Sequence, residues 1–285
     1  MGVRLILSDI DRTILPWGDK RVSERTVRAF HLAQEAGIAC GVASGRGVEW
    51  IPPFFAGDEV CIRTCVATNG NQVFLDGRKL RQADMSALLA PVVDVVRGCA
   101  HAGLLRFEGS TPVLAEGCIE DLTASYPAYA AVCERAGDGG ALGLLDRLVG
   151  KANVFLACEG KDGALAPAPL EDTSALAERL GREVPGLDFD VPQPGFLNVM
   201  PAGWNKASGV ELLARELGIG LDEVVVFGDA GNDLSMFELV ENSVAVANAT
   251  PEAARAARWH IGPCEEDSVA DAIEALAREE WPFNE

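Results

Sequence analysis

An apolar run that ends in two closely spaced acids constrains the fold of this chain most strongly. Residues 2–8 read as a strand, and Asp9 and Asp11 follow it directly. A continuous apolar run is typical of a strand in a parallel sheet that is covered on both faces. Because neighbouring carboxylates repel each other unless a cation or a shared proton relieves them, the stretch predicts a site for a metal ion, a phosphoryl group or both.

The same succession of strand, polar tip and helix recurs in the first and last parts of the chain. Further strands of this kind are predicted at 38–43, 60–68, 196–201, 223–227 and 243–247, with a hairpin at 73–80. This repetition is typical of the α/β class, and it predicts a doubly wound parallel sheet. In such sheets, chemistry takes place beyond the carboxyl ends of the strands.

Between these two parts the pattern changes. Helices are predicted at 85–101, 119–135 and 173–180, strands at 104–108, 112–114 and 152–158, and a loop at 137–140. No acidic pair follows directly on a predicted strand of this block, and the block contains no phosphate-binding loop. We therefore expect an α+β domain at 85–190, inserted into a core domain that consists of 1–84 and 191–285.

Charge and hydropathy restrict the partners. The formal net charge of -19 argues against nucleic acid and against anionic membranes, since neither surface attracts such a chain. No apolar run approaches the roughly 18 residues that a membrane span needs, and Asp9 comes too early for a secretion signal. Scattered cysteines without a pairing motif indicate free thiols. We expect a cytoplasmic monomer or homodimer, and the charge does not exclude a small phosphorylated metabolite as partner, because a few local cations and a metal can outweigh the distant field.

Other polar side chains follow the remaining predicted strands. Candidates for the same edge of the sheet are Ser44, Gly45, Arg46, Asn69, Gly70, Lys206, Asp229, Asn232, Asp233 and Asn248. Lys206 begins a helix predicted at 206–217, shortly after the strand at 196–201. Each residue also has a simpler interpretation. The Ser-Gly pair and the two asparagines Asn69 and Asn248 suit ordinary turns, and Arg46 could merely pair with a carboxylate.

Four of these features together resemble the haloacid dehalogenase superfamily. They occur in the order Asp9-Ile10-Asp11-Arg12-Thr13, Ser44-Gly45-Arg46, Lys206 and Gly228-Asp229-Ala230-Gly231-Asn232-Asp233. The insertion between the second and third motifs resembles the Cof-type branch, subfamily IIB. The resemblance implies a Rossmann-like core and an α/β cap of the C2 type that closes over the site and sets substrate specificity.

The resemblance also implies roles for the catalytic residues. Asp9 would attack phosphorus and become an aspartyl phosphate, and Asp11 would act as general acid and then as general base. Ser44 would donate a hydrogen bond to a phosphoryl oxygen, and Lys206 would offset negative charge. Arg12 is a departure, because this branch usually has Gly at that position. We expect a non-Gly residue there only if the backbone needs no positive φ.

A metal site is implied as well. Mg²⁺ would be held by the side chains of Asp9 and Asp229 and by the backbone carbonyl of Asp11, with Asn232 and Asp233 orienting these ligands. The expected function is Mg²⁺-dependent hydrolysis of small phosphomonoesters, with sugar phosphates the usual substrates of the family. Two alternatives remain open: a phosphosugar mutase or phosphotransferase on the same scaffold, and a non-catalytic protein that binds a phosphorylated ligand.

Overall fold

Two separate sheets divide the chain into two units in a computed structural model, which describes residues 2–135 and 148–283. The first unit, called the core unit here, runs up to Gln82 and resumes at Trp204. The second, called the inserted unit, is Ala83–Gly203. The loop predicted at 137–140 lies outside the described residues.

The elements are numbered in chain order within the described ranges. The strands are β1 (Leu5–Ser8), β2 (Ala39–Ala43), β3 (Cys65–Ala67), β4 (Gln72–Leu75), β5 (Arg78–Gln82), β6 (Ala102–Glu108), β7 (Thr111–Glu116), β8 (Glu134–Arg135), β9 (Ala152–Glu159), β10 (Leu165–Pro167), β11 (Leu187–Gln193), β12 (Phe196–Pro201), β13 (Val224–Gly228), β14 (Asn242–Ala245) and β15 (Trp259–His260). The α-helices are α1 (Glu24–Glu35), α2 (Leu89–Arg97), α3 (Ile119–Ser125), α4 (Pro127–Ala130), α5 (Leu170–Glu183), α6 (Lys206–Leu217), α7 (Leu234–Leu239), α8 (Pro251–Ala256) and α9 (Ser268–Ala277). No helix among the described residues is both long enough and apolar enough to cross a bilayer.

The core unit is a doubly wound sheet, as predicted. Its strand order is β15-β14-β13-β1-β2-β3-β4-β5, and the strands from β15 to β3 are parallel. Apolar residues of α1 and α9 pack on one face, and those of α6, α7 and α8 pack on the other. Burial on both faces explains why these strands are continuous apolar runs rather than alternating ones.

The register of the core sheet aligns the ends of its central strands. Ser8 of β1 lies opposite Val42 of β2 and Phe227 of β13. The residues that follow these strands therefore meet at one edge of the sheet. The chain order also reverses at β1, which has β2 on one side and β13 on the other. Ligands of open α/β sheets bind at such a switch point.

Two predicted core elements are shorter than the sequence pattern indicated. The strand predicted at 60–68 is reduced to β3, because Val60–Ile62 forms a 3-10 turn whose first N–H donates to Asp58 Oδ1 at 3.0 Å. The sequence also predicts a helix from Val48 that is broken by the two prolines at 52 and 53. This stretch forms two 3-10 turns, and the prolines cannot donate backbone hydrogen bonds.

The inserted unit is a mainly antiparallel sheet with helices. Its strand order is β11-β12-β9-β6-β7-β8, and β10 pairs antiparallel with the last three residues of β9. Residues of α2 and α5 pack with this sheet in one apolar cluster. The prediction of a single helix at 119–135 is wrong. Pro127 starts a new helix after α3, and residues 134–135 pair with β7 as β8.

The second boundary of the inserted unit differs from the prediction. The sequence pattern ended this domain at 190 and assigned residues 196–201 to the core sheet, but this segment is β12. It pairs antiparallel with β9 and β11 of the inserted sheet. An apolar run has the same appearance in either sheet, so only its pairing partners reveal that the unit extends to Gly203.

Candidate functional site

Four buried charged groups meet at the carboxyl edge of the core sheet. Asp9 follows β1, Asp229 follows β13, Asp233 lies one turn later, and Lys206 is the first residue of α6. Lys206 Nζ donates to Oδ1 of Asp9 and to Oδ1 of Asp233, each at 2.7 Å. In their ionised forms, three carboxylates and one ammonium leave an excess of two negative charges in a buried place.

The position of Lys206 depends on how α6 begins. Asn205 caps the helix, since its Oδ1 accepts from Ser208 N at 3.2 Å. Trp204 Nε1 donates to the carbonyl of Gly70. A Cβ at Gly70 would lie 2.3 Å from Asn205 O, so this glycine lets the two backbones approach. Gly70 therefore has a packing role, and Lys206 follows a strand of the inserted sheet rather than one of the core sheet.

Asp233 shapes the loop that carries Asp229. Asp233 Oδ2 accepts the backbone N–H groups of Asp229 at 2.9 Å and of Ala230 at 3.1 Å. Its carboxyl packs so closely on the end of β13 that a Cβ at Gly228 would lie 2.5 Å from Asp233 Cγ. The Gly-Asp…Asp spacing of the motif thus has a direct structural reason. Asp233 holds Asp229 in place and at the same time anchors Lys206.

Asp229 presents an oxygen without a hydrogen-bond partner. Its Oδ1 accepts from Thr13 Oγ1 at 3.4 Å, whereas the buried Oδ2 has no hydrogen-bonding partner among the described residues. Ligand atoms of Asp9, Asp229 and Asp233 all lie within 4.8 Å of one another. Carboxylate oxygens are the ligands that hard divalent cations such as Mg²⁺ prefer. The donor set, the unpaired oxygen and the excess negative charge therefore fit such a cation.

The excess negative charge also appears in the acid–base properties of the site. Burial, opposed by Lys206 and reinforced by Asp233, raises the pKa of Asp9 to about 8. Burial and the neighbouring Asp233 raise the pKa of Asp229 to about 6. Burial lowers the pKa of Lys206, but the two carboxylates outweigh this effect and raise it overall, so the ammonium stays charged.

These shifts predict how stability depends on pH. The ordinary pKa of an aspartate is 3.8, and the folded values are about 8 for Asp9 and about 6 for Asp229. Between the ordinary and the folded pKa, each group binds more protons in the folded chain than in the unfolded chain. Stability rises with pH only where the unfolded chain binds more protons, so this contribution falls as the pH rises through that window. A divalent cation held by these carboxyls would favour their ionised forms, so we expect the difference in melting temperature between samples with Mg²⁺ and samples with chelator to widen from pH 5 to pH 8.

The matched control is Asp229→Asn, measured by thermal denaturation over the same pH series. The variant lacks one of the two titrating carboxyls, which is also a candidate cation ligand. Its difference in melting temperature between Mg²⁺ and chelator should therefore be smaller and should depend less on pH. A difference that is independent of pH in the wild type would contradict the charge balance described here.

Asp11 is paired with Arg46 at the mouth of the site. Arg46 Nε donates to Asp11 Oδ2 and Arg46 Nη2 donates to Asp11 Oδ1, each at 2.7 Å. The guanidinium also lies over the ring of Phe54, 4.5 Å from its centroid. Both Asp11 oxygens accept from Arg46, which holds the carboxyl in one orientation, and each oxygen keeps a second lone pair for another partner.

The loops after β2 and β3 are joined by hydrogen bonds. Ser44 is buried, and its Oγ accepts from Arg46 N at 3.2 Å. Asn69 adopts a left-handed backbone with φ 51°, and its N–H donates to Ser44 O at 3.0 Å. Asn232 Nδ2 donates to Asn69 Oδ1 at 3.5 Å, while a Cβ at Gly45 would lie 3.2 Å from the same oxygen. The predicted polar tips are thus in mutual contact.

A small open cavity of about 210 Å³ lies at this edge of the core unit. Its lining residues are Asp9, Asp11, Arg12, Gly45, Arg46, Asp229, Ala230 and Asn232. Most of the side chains in this set are charged or polar, and two of them are guanidinium groups. The cavity is therefore suited to a compact anion together with a cation rather than to an apolar ligand.

Asn248 supports the loop after β1. Its Nδ2 donates to the carbonyl of Arg12 at 2.7 Å, and its Oδ1 accepts from Cys264 N at 2.8 Å. Asn248 therefore braces the loop through both ends of its side-chain amide. Arg12 adopts φ 61°, contrary to the expectation that a non-Gly residue avoids positive φ here. Sequence reasoning also missed the support that Thr13 and Asn205 give to Asp229 and Lys206.

Comparison with known proteins identifies the family. The sequence profile of the haloacid dehalogenase-like hydrolases matches residues 6–94 and 165–273, which together exceed half of the chain. The chain belongs to this family. The matched ranges include every member of the buried charge cluster. The predicted family, the α/β fold with an inserted unit and the prediction of an enzyme, a hydrolase, are confirmed.

Similar proteins align with nearly the whole chain. The Bacillus subtilis (strain 168) protein YkrA is 27% identical and aligns over 97% of this chain and 98% of its own length. The Escherichia coli (strain K12) 5-amino-6-(5-phospho-D-ribitylamino)uracil phosphatase YbjI is 24% identical with full coverage of both chains. Among solved structures, the HAD subclass IIB sugar phosphatase BT4131 shares the fold with a TM-score of 0.76, at 19% identity, over 96% of this chain and 99% of that one.

Proposed function

We propose that this hydrolase cleaves small phosphomonoesters, with Asp9 as the nucleophile and Mg²⁺ as the cofactor. The observation that carries the proposal is the buried cluster of Asp9, Asp229, Asp233 and Lys206, whose excess of two negative charges and unpaired Asp229 Oδ2 fit a divalent cation. The family supplies the reaction class, and the name of the relative YbjI supports a phosphorylated sugar alcohol or a similar small molecule as the substrate.

The first half of the reaction uses Asp9 and its neighbours. A carboxylate oxygen of Asp9 forms a bond to phosphorus as the bond between phosphorus and the ester oxygen breaks, which leaves the phosphoryl group on Asp9. Lys206, held at 2.7 Å from Asp9 Oδ1, keeps this carboxyl oriented. Ser44 and Asn232 lie in the contacting loops and are proposed to hold phosphoryl oxygens. The site thus works mainly by positioning and by charge neutralisation.

The metal would be held by Asp9 and Asp229, with Asp233 fixing the Asp229 loop. When bound, it supplies positive charge that favours the ionised carboxyls and offsets charge on the phosphoryl oxygens. The raised pKa values of Asp9 and Asp229 are consistent with a site that is completed by a cation. The predicted contribution of the Asp11 backbone carbonyl remains part of this proposal.

Asp11 is proposed to move the proton in both halves. It gives a proton to the departing alcohol and then takes one from the water that attacks the phosphorylated Asp9, which releases phosphate and restores both side chains. The pair with Arg46 holds the Asp11 carboxyl in one orientation, because both of its oxygens accept from the guanidinium. We propose that one of these hydrogen bonds opens when substrate binds.

Selection among esters is proposed to depend on the inserted unit. The cavity of about 210 Å³ in the core unit is smaller than the roughly 300–1,000 Å³ of typical ligand pockets. It therefore suits the phosphoryl group and the cation, and it offers few contacts to a varied alcohol. We therefore propose that residues of the inserted unit, Ala83–Gly203, supply the contacts that distinguish one alcohol from another.

The experiment that tests the function is phosphate release from a panel of sugar phosphates, sugar-alcohol phosphates and an aryl phosphate, with Mg²⁺ and with chelator. We expect turnover that requires Mg²⁺ and differs among the esters. Product analysis in the same reactions separates hydrolysis from transfer, since a mutase yields an isomerised sugar phosphate without net phosphate release. Tight binding of sugar phosphates with no turnover on any member would instead favour a binding protein.

A further inference from the structure

Arg12 occupies an unusual place beside the buried cluster. Its side chain is 46% exposed, yet Arg12 Nε lies 3.8 Å from Oδ2 of Asp229, whose side chain is 3% exposed. This is the same Asp229 oxygen that has no hydrogen-bond partner among the described residues. At 3.8 Å the contact is an ion pair without a hydrogen bond, so the guanidinium faces the oxygen without saturating it.

The local structure holds Arg12 in this place at a cost. A non-Gly residue at φ 61° lies in the left-handed region, which L side chains rarely adopt. Two hydrogen bonds with Asn248 nevertheless hold Arg12 in place. Asn248 Nδ2 donates to Arg12 O at 2.7 Å, and Arg12 Nη2 donates to Asn248 O at 3.1 Å. Its N–H also donates to Leu15 O at 2.8 Å. A glycine would meet the backbone requirement without strain, so the arginine side chain calls for a separate explanation.

We infer that Arg12 is a built-in counter-cation of Asp229 that makes Mg²⁺ binding depend on the phosphoryl ligand. In the free enzyme its positive charge competes with Mg²⁺ for the Asp229 oxygen that accepts no hydrogen bond, and so weakens the binding of the metal. The same charge lines the cavity and attracts a phosphate dianion. Phosphate then offsets Arg12, so each ligand favours the other, as thermodynamic linkage requires. This inference rests on the proposed function.

The inference predicts that removing the charge of Arg12 changes the affinities for Mg²⁺ and for phosphate in opposite directions. Arg12→Gly and Arg12→Asn remove the charge but keep a residue that tolerates positive φ, and both should bind Mg²⁺ alone about three- to tenfold more tightly, as expected for one charge at this distance in a water-like dielectric. The same variants should bind inorganic phosphate more weakly by a similar factor. Arg12→Lys keeps the charge and should resemble the wild type more closely in both titrations.

The measurement is a calorimetric titration with Mg²⁺ alone, and then with inorganic phosphate in the presence of Mg²⁺, for the wild type and the three Arg12 variants. A change in stability or backbone strain alone would not shift the two affinities in opposite directions. If the wild type binds Mg²⁺ through Asp229, shown by loss of binding in Asp229→Asn, but the Arg12 variants have unchanged affinities, the inference is overturned and the proposed function stands. Absence of Mg²⁺ binding in every variant would overturn both.

Discussion

Replacing Asp9 with Asn is expected to abolish phosphate release while leaving the fold intact. The amide cannot attack phosphorus, and loss of a catalytic nucleophile lowers turnover by on the order of 10⁴-fold or more. In the absence of metal, the variant should be at least as stable as the wild type. The Asp9 carboxyl is buried with a raised pKa, so a neutral isostere removes a charge that the folded chain accommodates poorly in the absence of metal.

Two assays on one preparation test this expectation. Phosphate release is measured with saturating Mg²⁺, and thermal denaturation is measured in chelator at pH 8. We expect an inactive variant whose melting temperature is equal to or above that of the wild type. Retention of a substantial part of the wild-type rate by a folded Asp9→Asn variant would exclude Asp9 as the nucleophile.

Replacing Lys206 with Met is expected to cause the largest loss of stability. Lys206 is the ammonium that donates to both Asp9 and Asp233, and all three side chains are buried. Removing one partner of a buried ion pair leaves an uncompensated charge and costs about 3–5 kcal/mol in typical cases. Methionine has a similar length, so the effect reports the lost charge rather than a cavity. The readout is the midpoint of urea denaturation in chelator at neutral pH.

The control for Lys206→Met is the double variant with Asp9→Asn. Because the second substitution removes one of the two carboxylates that have lost their partner, the double variant should be more stable than Lys206→Met alone. Equal destabilisation in the single and double variants would mean that the cost arises from packing at the start of α6, not from the unpaired charge.

Local signals made much of the fold predictable. The helix predicted from Lys206 to Leu217 agrees with α6 at both ends, because Asn205 caps its start and Gly218 ends it with a left-handed backbone. The polar residues after β1 and β13 were predictable for a related reason. A continuous apolar run marks a buried parallel strand, and the residues after its end must lie at the carboxyl edge of the sheet.

Long-range contacts explain what the sequence pattern could not predict. Arg46 pairs with Asp11 across 35 positions, and Asn248 braces Arg12 across 236 positions. Contacts between residues so far apart in sequence produce no periodic pattern from which they could be predicted. The assignment of β12 failed for the same reason, since its membership depends on pairing with β9 and not on its own residues. The positive φ of Arg12 is a further case, because tertiary hydrogen bonds override the local preference for glycine.

The central claim is that the phosphoryl group passes through Asp9. The most direct measurement is a rapid acid quench of the wild type during turnover of an ester that carries an isotopic label on phosphorus, followed by mapping of labelled peptides. We predict transient label on the peptide that contains Asp9, and none in the Asp9→Asn variant. Turnover without covalent label at any time, or label on a different residue, would contradict the account.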